Sequence, residues 1–235
     1  MASPSSIAVM SGLALEVAVN RWLKPAFEAA SPYRLEVDWR PTTAIMKSIA
    51  EGQRADVVIA IDGSMDKLCA DRIVRPETRV CLADSILGVG VREGTPKPDV
   101  STVEAFKRAL VGARVAYSRA GASGIYFTGL VERLGIAAEV NARAVAIPMG
   151  FTGEKVASGE ADIAIQQVSE LMSVPGVAVA GPFPSEVQTV STFDAAIFAD
   201  AANPDGAAAL MALLASPAAA KAYGDGGLVS RLPHS

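Results

Sequence analysis

Four short segments concentrate small hydroxyl and glycine residues: Met10-Ser11-Gly12, Pro41-Thr42-Thr43, Tyr117-Ser118-Arg119-Ala120-Gly121-Ala122-Ser123-Gly124 and Pro148-Met149-Gly150-Phe151-Thr152. Where such a segment leads into a helix, the first backbone amides lack intrahelical partners and the helix dipole adds partial positive charge. An oxyanion is received there without a metal. Each segment taken singly also fits a plain helix cap by Ser or Thr. Arg119 stands among small residues, where its guanidinium either forks onto a carboxylate in two parallel hydrogen bonds or is a solvated surface charge. Gln166 and Gln167 end an apolar run, and their amides can donate to a carboxylate, accept from a hydroxyl or cap a loop. The candidate ligand-binding residues are therefore Ser11, Gly12, Thr42, Thr43, Arg119, Ser123, Gln166 and Gln167.

Other chemistry has less to draw on. His234 is the single histidine and lies next to the last residue, so Ser-His-Asp, Cys-His and His-based metal arrangements are excluded. Cys69 and Cys81 form no C-x-x-C and read as small buried hydrophobes. Gly88-Val89-Gly90 followed by Gly94 lacks dinucleotide-loop spacing, and Gly121–Gly124 lacks the Lys-Ser/Thr ending of a phosphate loop. Neither a metal nor a cofactor is expected. Proton abstraction from a carbon acid would fall to Glu170, Glu186, Tyr117, Tyr126 or a distant Asp. A desolvated glutamate is the expectation, because burial raises a carboxyl pKa toward neutrality; surface glutamates at helix ends are the plain alternative for Glu170 and Glu186.

The elements that must hold these residues follow from pattern. The chain has 235 residues, 51% hydrophobic and 20% charged, with formal net charge −4, enough apolar material for a substantial core. Apart from Lys107-Arg108, Lys and Arg are scattered singly, so nucleic acid is not an expected partner. Strands are expected over residues 7–10, 35–39 and 56–61, with helices over 13–30 and 44–51 between them. The run Asp56-Val57-Val58-Ile59-Ala60-Ile61 reads as a strand buried on both faces of a parallel sheet. Strands over 86–91, 113–117, 142–147 and 162–166 then alternate with helices over 103–110, 123–134 and 152–158. An extended stretch, 187–198, and two Ala-rich helices, 204–215 and 217–223, close the chain. The class is α/β, and two lobes suit two successive α/β sets better than one wide sheet. Ligands of open α/β sheets bind beyond the carboxyl ends of strands, which selects the four loops above.

The segments IAVMSGLALEVA, GQRADVVIAIDGSMDKLCADRIV, RVAYSRAGASG, VASGEADIAI and NPDGAAALMALLASPAAAKAYGDGGL together resemble the molybdate-binding, ModA-like family of extracytoplasmic solute-binding proteins. The resemblance implies a type II periplasmic-binding fold: two α/β lobes joined by crossover strands, with a ligand cleft between them. Lobe one would be residues 1–84 plus 195–235 and lobe two 85–194. Molybdate binders of this family present Ser, Ser and Tyr hydroxyls. Here Ser11 fits the first, Thr42 and Thr43 replace the second, and Gln166-Gln167 occupies the third region. Arg119 adds a full charge where that family uses neutral donors, and a planar fork suits an organic carboxylate better than molybdate. The run QQVSELMSVPGVAVAGPFPSEVQTV is similar to a sub-branch that includes aconitate isomerase, a cofactor-free enzyme.

Two functions follow as expectations: a binding protein for a small di- or tricarboxylate, or an isomerase shifting a double bond in such an acid. Residues 7–19 are apolar but lack a preceding cation and a small-residue cleavage site, and Glu16 interrupts them, so they read as folded sequence rather than an export signal. As written the chain is expected in the cytoplasm, or in the periplasm if a signal has been removed. Only an exported protein would partner an ABC permease. With no apolar run of about 18 residues, no membrane insertion is expected.

Overall fold

The run from Val57 to Ile61 is apolar on both faces, and in the computed structural model, which describes residues 6–148 and 150–233, it is a central strand. Met149 and His234 lie outside the described residues. The strands among the described residues are β1 (Ser6–Ser11), β2 (Arg34–Trp39), β3 (Val57–Ile61), β4 (Val80–Arg92), β5 (Val115–Ser118), β6 (Val145–Ile147), β7 (Ile163–Gln167), β8 (Val177–Pro182), β9 (Val190–Ile197) and β10 (Val229–Ser230). The chain divides into two compact units, Met1–Ser85 with Ser191–Ser235, and Ile86–Val190.

In the first unit the strands run β2-β1-β3-β9. β1 is parallel to β2 and β3, whereas β3 is antiparallel to β9. The expected all-parallel setting of β3 thus holds on one side only. Period-two alternation divides its side chains: Val57 and Ile59 join Ile7, Val9, Ala195 and Ile197 in one core, while Val58 and Ala60 join Met10, Ala196 and Phe198 in another. Asp56, 3% exposed, accepts from the amides of Ala8 (2.9 Å) and Asn203 (2.7 Å). Asn203 in turn caps the helix Pro204–Leu214 by accepting from Gly206 N at 2.9 Å, which fastens the Ala-rich tail to this sheet. Thr192 Oγ1 donates to Asp84 (2.8 Å), and Phe193 and Asp194 pair with Ile61 and Ala60, so Ser191–Asp194 stay with the first unit.

The expected single helix over 13–30 is four segments: a 3-10 turn Leu13–Leu15, α-helical Glu16–Ala18, π-helical Val19–Leu23 and α-helical Lys24–Ala30. Pro25 has no N–H to return to the carbonyl one turn earlier, and the helix widens just before it.

The second unit orders its strands β8-β4-β7-β5-β6, with β5 parallel to β6 and β7 and β4 antiparallel to β7 and β8. Val115, Ile163 and Ile165 face a core with Phe106 and Phe127; Ala116 and Ala164 face Val156 and Leu171. The strand expected over 142–147 is shorter. A helix, Ala137–Asn141, precedes it, and the amides of Arg143 and Ala144 turn back to Val140 and Asn141. Pairing begins only at Val145. Helices Asp62–Ala70 and Val168–Met172 and strand β8 are elements that the apolar pattern did not isolate. Among the described residues no helix is long and apolar enough to cross a membrane.

Candidate functional site

Ser11, at the end of β1, is in register with Trp39 of β2 and Ile59 of β3, so the loops after β1 and β2 leave the same edge of the first sheet. Ser11 is fully buried; its hydroxyl donates to Gly12 O (3.2 Å) and its carbonyl accepts from Arg40 N (3.1 Å). The Gly12 amide, expected to face a ligand, donates instead to Ile59 O at 3.0 Å. What Gly12 supplies is room, since a Cβ there would lie 2.6 Å from Phe193 Cε1. The amides without partners among the described residues are those of Leu13 and Ala14. Thr42, half-buried, and Thr43, exposed, open the helix Thr42–Ala50. Ala44 N and Ile45 N return to Pro41 O, which leaves the amides of Thr42 and Thr43 without partners among the described residues. Arg40 beside them is held by Asp38, Ser48 and Gln53.

In the second unit Ser118 ends β5 opposite Ile147 of β6, and Arg119 N extends the ladder to Ile147 O at 2.8 Å. Ser118 Oγ accepts from Gly121 N (3.2 Å), folding the loop back on the strand. The helix Ala122–Arg133 abuts that strand so closely that a Cβ on Gly124 would fall 1.6 Å from Ser118 O. Ser123 is buried, and the amides of Ala122 and Ser123 have no partner among the described residues. Arg119 is exposed, and its guanidinium makes no hydrogen bond or ion pair among the described residues, whereas Arg34, Arg40, Arg79 and Arg114 each hold a carboxylate.

Gln166 departs from the expected ligand donor. Its Oε1 accepts from Thr152 N (2.8 Å) and lies 2.9 Å from Thr152 Oγ1, and its Nε2 donates to Gly150 O (3.2 Å). It is a buried clamp on the fourth loop. Gln167 is buried and Glu170 half-buried, and both are engaged within the protein. Glu186 is not the desolvated base expected: it is exposed, and its own amide and the Ser185 hydroxyl, 2.9 Å away, hold its carboxyl below the ordinary value. The phenols of Tyr117 and Tyr126 donate to Asn141 Oδ1 (3.3 Å) and Val187 O (3.0 Å).

The plain-cap alternative fails at all four loops. The helical segments beginning at Leu13, Thr42, Ala122 and Gly153 carry no side-chain cap. Three helices elsewhere do, through Thr102, Asn203 and Ser216.

Beyond the interruption of the run over 7–19, the apolar pattern gives no mark of a further half-buried acid beside the first loop. Glu16 lies one turn beyond Gly12, half-buried, and burial raises its carboxyl above the ordinary value. Among the described residues no group of three or more His, Cys, Asp or Glu could hold a metal ion.

Comparison with known proteins agrees with this architecture. The family model for bacterial extracellular solute-binding proteins matches residues 7–229. An aconitate isomerase from Pseudomonas sp. is 38% identical over 215 residues, covering 88% of this chain and 82% of that protein. The periplasmic molybdate-binding protein of Azotobacter vinelandii superposes with a TM-score of 0.77 at 19% identity, covering 97% of this chain and 100% of that one. The sulfate-binding protein of Mycobacterium tuberculosis gives 0.74 at 16% identity, with 97% and 88% covered. The fold is the ModA-like, type II solute-binding one, and the chain belongs to the family of bacterial extracellular solute-binding proteins.

Proposed function

We propose that the protein binds a small organic di- or tricarboxylate, with Arg119 forking onto one carboxylate and the open amides of Ala122 and Ser123 receiving another. The observation that carries this reading is the unpaired, exposed guanidinium of Arg119 beside the open amides of Ala122 and Ser123. A planar fork of donors matches a carboxylate in two parallel hydrogen bonds, a match that a tetrahedral oxyanion does not need. Thermal unfolding against citrate, cis- and trans-aconitate, molybdate and sulfate tests it. A ligand held at a hundred times its Kd adds about 2.7 kcal/mol, and the carboxylates should give the larger shifts.

A second reading, that the protein turns its ligand over as an isomerase of the aconitate type, is favoured by the 38% identical relative. Shifting a double bond requires removal of a proton from carbon beside a carboxylate, with donors placed where the enolate charge grows. Under the receptor reading the protein works outside the inner membrane and delivers its ligand to an ABC permease; under the enzyme reading it needs neither. Conversion of trans- to cis-aconitate by the purified protein separates the two.

A further inference from the structure

We infer that the second unit carries a further binding site, for a monocarboxylate with a small apolar body, at the end of its sheet opposite Ser118 and Gln167. β5 and β7 are parallel, so their first residues share one edge and their last residues the other. The loops described above leave from the last residues. At the first residues, about 13 Å away along β7, antiparallel β4 reaches its own end and a cavity of about 360 Å³ opens, within the range of small-ligand pockets.

The walls are apolar. Val91 and Ile163 come from one core of the unit, Val156 and Ala161 from the other, and Pro96 and Pro98 close the side. The turn that carries these prolines is tied to the strand end: Thr95 N and Oγ1 both donate to Arg92 O, at 3.1 and 2.6 Å, and Gly94 takes a positive φ of 80°. Proline has a fixed φ and no N–H, so this wall presents apolar rings instead of open donors.

Charge enters at the rim. Arg92 lines the cavity, and a Cβ on Gly159 would lie 3.8 Å from its Nη1, so the guanidinium reaches the loop after the helix Gly153–Ala157. It makes no hydrogen bond or ion pair among the described residues. The other charged residues of the lining, Arg114 and Asp162, satisfy each other: Arg114 N and Nε donate to Oδ2 (2.8 and 3.2 Å) and Nη2 donates to Oδ1 (2.6 Å). One positive charge is left unopposed, and it is a free fork. A guanidinium takes a carboxylate in two parallel hydrogen bonds. The walls beside it favour a hydrocarbon body over a second charge, whose desolvation nothing there would offset.

The test titrates benzoate, isovalerate and acetate into the isotope-labelled full chain, followed by amide NMR and calorimetry. Benzoate or isovalerate should saturate with Kd of about 1 mM or tighter, shifting amides over residues 91–95, 113–114 and 159–163 and not over 118–123. Acetate, which has the carboxylate without the body, should bind at least about tenfold more weakly. Arg92→Ala, a change at an exposed side chain, should weaken benzoate about tenfold or more, and Arg92→Lys, which keeps the charge but not the fork, should recover only part of the loss. No saturation up to about 10 mM, shifts centred on 118–123, equal affinity for acetate, or unchanged affinity in Arg92→Ala would each overturn the site.

Discussion

The helical segment after Ser11-Gly12 in the first unit and the helix after Ser118–Gly121 in the second both start without a side-chain cap and with two open amides. Beside the second stands a guanidinium, Arg119, with no partner among the described residues; one turn into the first stands a half-buried carboxyl, Glu16. Open amides are therefore common to the two loop sets, and the sign of the accompanying charge distinguishes them. Neutral donors alone would serve any oxyanion. Under the proposed reading the cation of the second unit favours a ligand that can fill a planar fork.

The two loops also differ in how tightly glycine is required, which gives the largest expected effect. A methyl on Gly124 meets the backbone carbonyl of Ser118 at 1.6 Å, while one on Gly12 meets only the Phe193 ring at 2.6 Å. A ring can turn and a strand end cannot. Gly124→Ala should lose about 3 kcal/mol or more in chemical denaturation, and Gly12→Ala about 1 kcal/mol. Equal losses would remove the contrast.

Charge comes next. Arg119→Ala removes a charge-assisted bond worth about 1.5–3 kcal/mol, so calorimetry should show carboxylate affinity falling about tenfold to hundredfold. Arg40→Ala, in the first unit, removes a guanidinium already held by Asp38, Ser48 and Gln53 and should leave affinity within about threefold. If the two variants behave alike, Arg119 is a surface residue. Gln166→Leu leaves the buried Thr152 amide unpaired and should cost about 1–3 kcal/mol of stability, read as a lowered Tm, with ligand affinity falling only as far as the fourth loop loosens.

The smallest effect is a pH dependence whose sign is fixed. Glu16 has a folded-state pKa above its unfolded value, so the folded state holds more proton between the two values and stability falls as pH rises through that window. Glu16→Gln should abolish this loss, stabilising the unliganded protein at neutral pH and giving no gain below the unfolded value, about pH 4.3. Denaturant melts at several pH values decide it, and a gain that persists at low pH contradicts the burial of this carboxyl.

Much of the fold was legible because period and punctuation agree along the chain. Val57–Ile61 is apolar on both faces and is central; helices start at Val103 and Pro204 where expected. The π-helical widening before Pro25 was not, because apolar spacing tolerates one extra residue per turn. The four loops were legible from composition, whereas the use of each amide was not. Gly12 N bonds to Ile59 O and the Gln166 amide to Gly150 and Thr152, pairings set by register between distant strands. Glu16 lay in view as a flaw in an apolar run, and its half-burial depends on the packing of the residues around it.

Calorimetric titration of the wild-type protein with trans-aconitate and, separately, with molybdate tests whether Arg119 selects a carboxylate. Saturable binding of trans-aconitate is expected, weakened about tenfold or more in Arg119→Ala, with molybdate affinity lower and insensitive to that substitution. Tight molybdate binding with no heat from aconitate would contradict it.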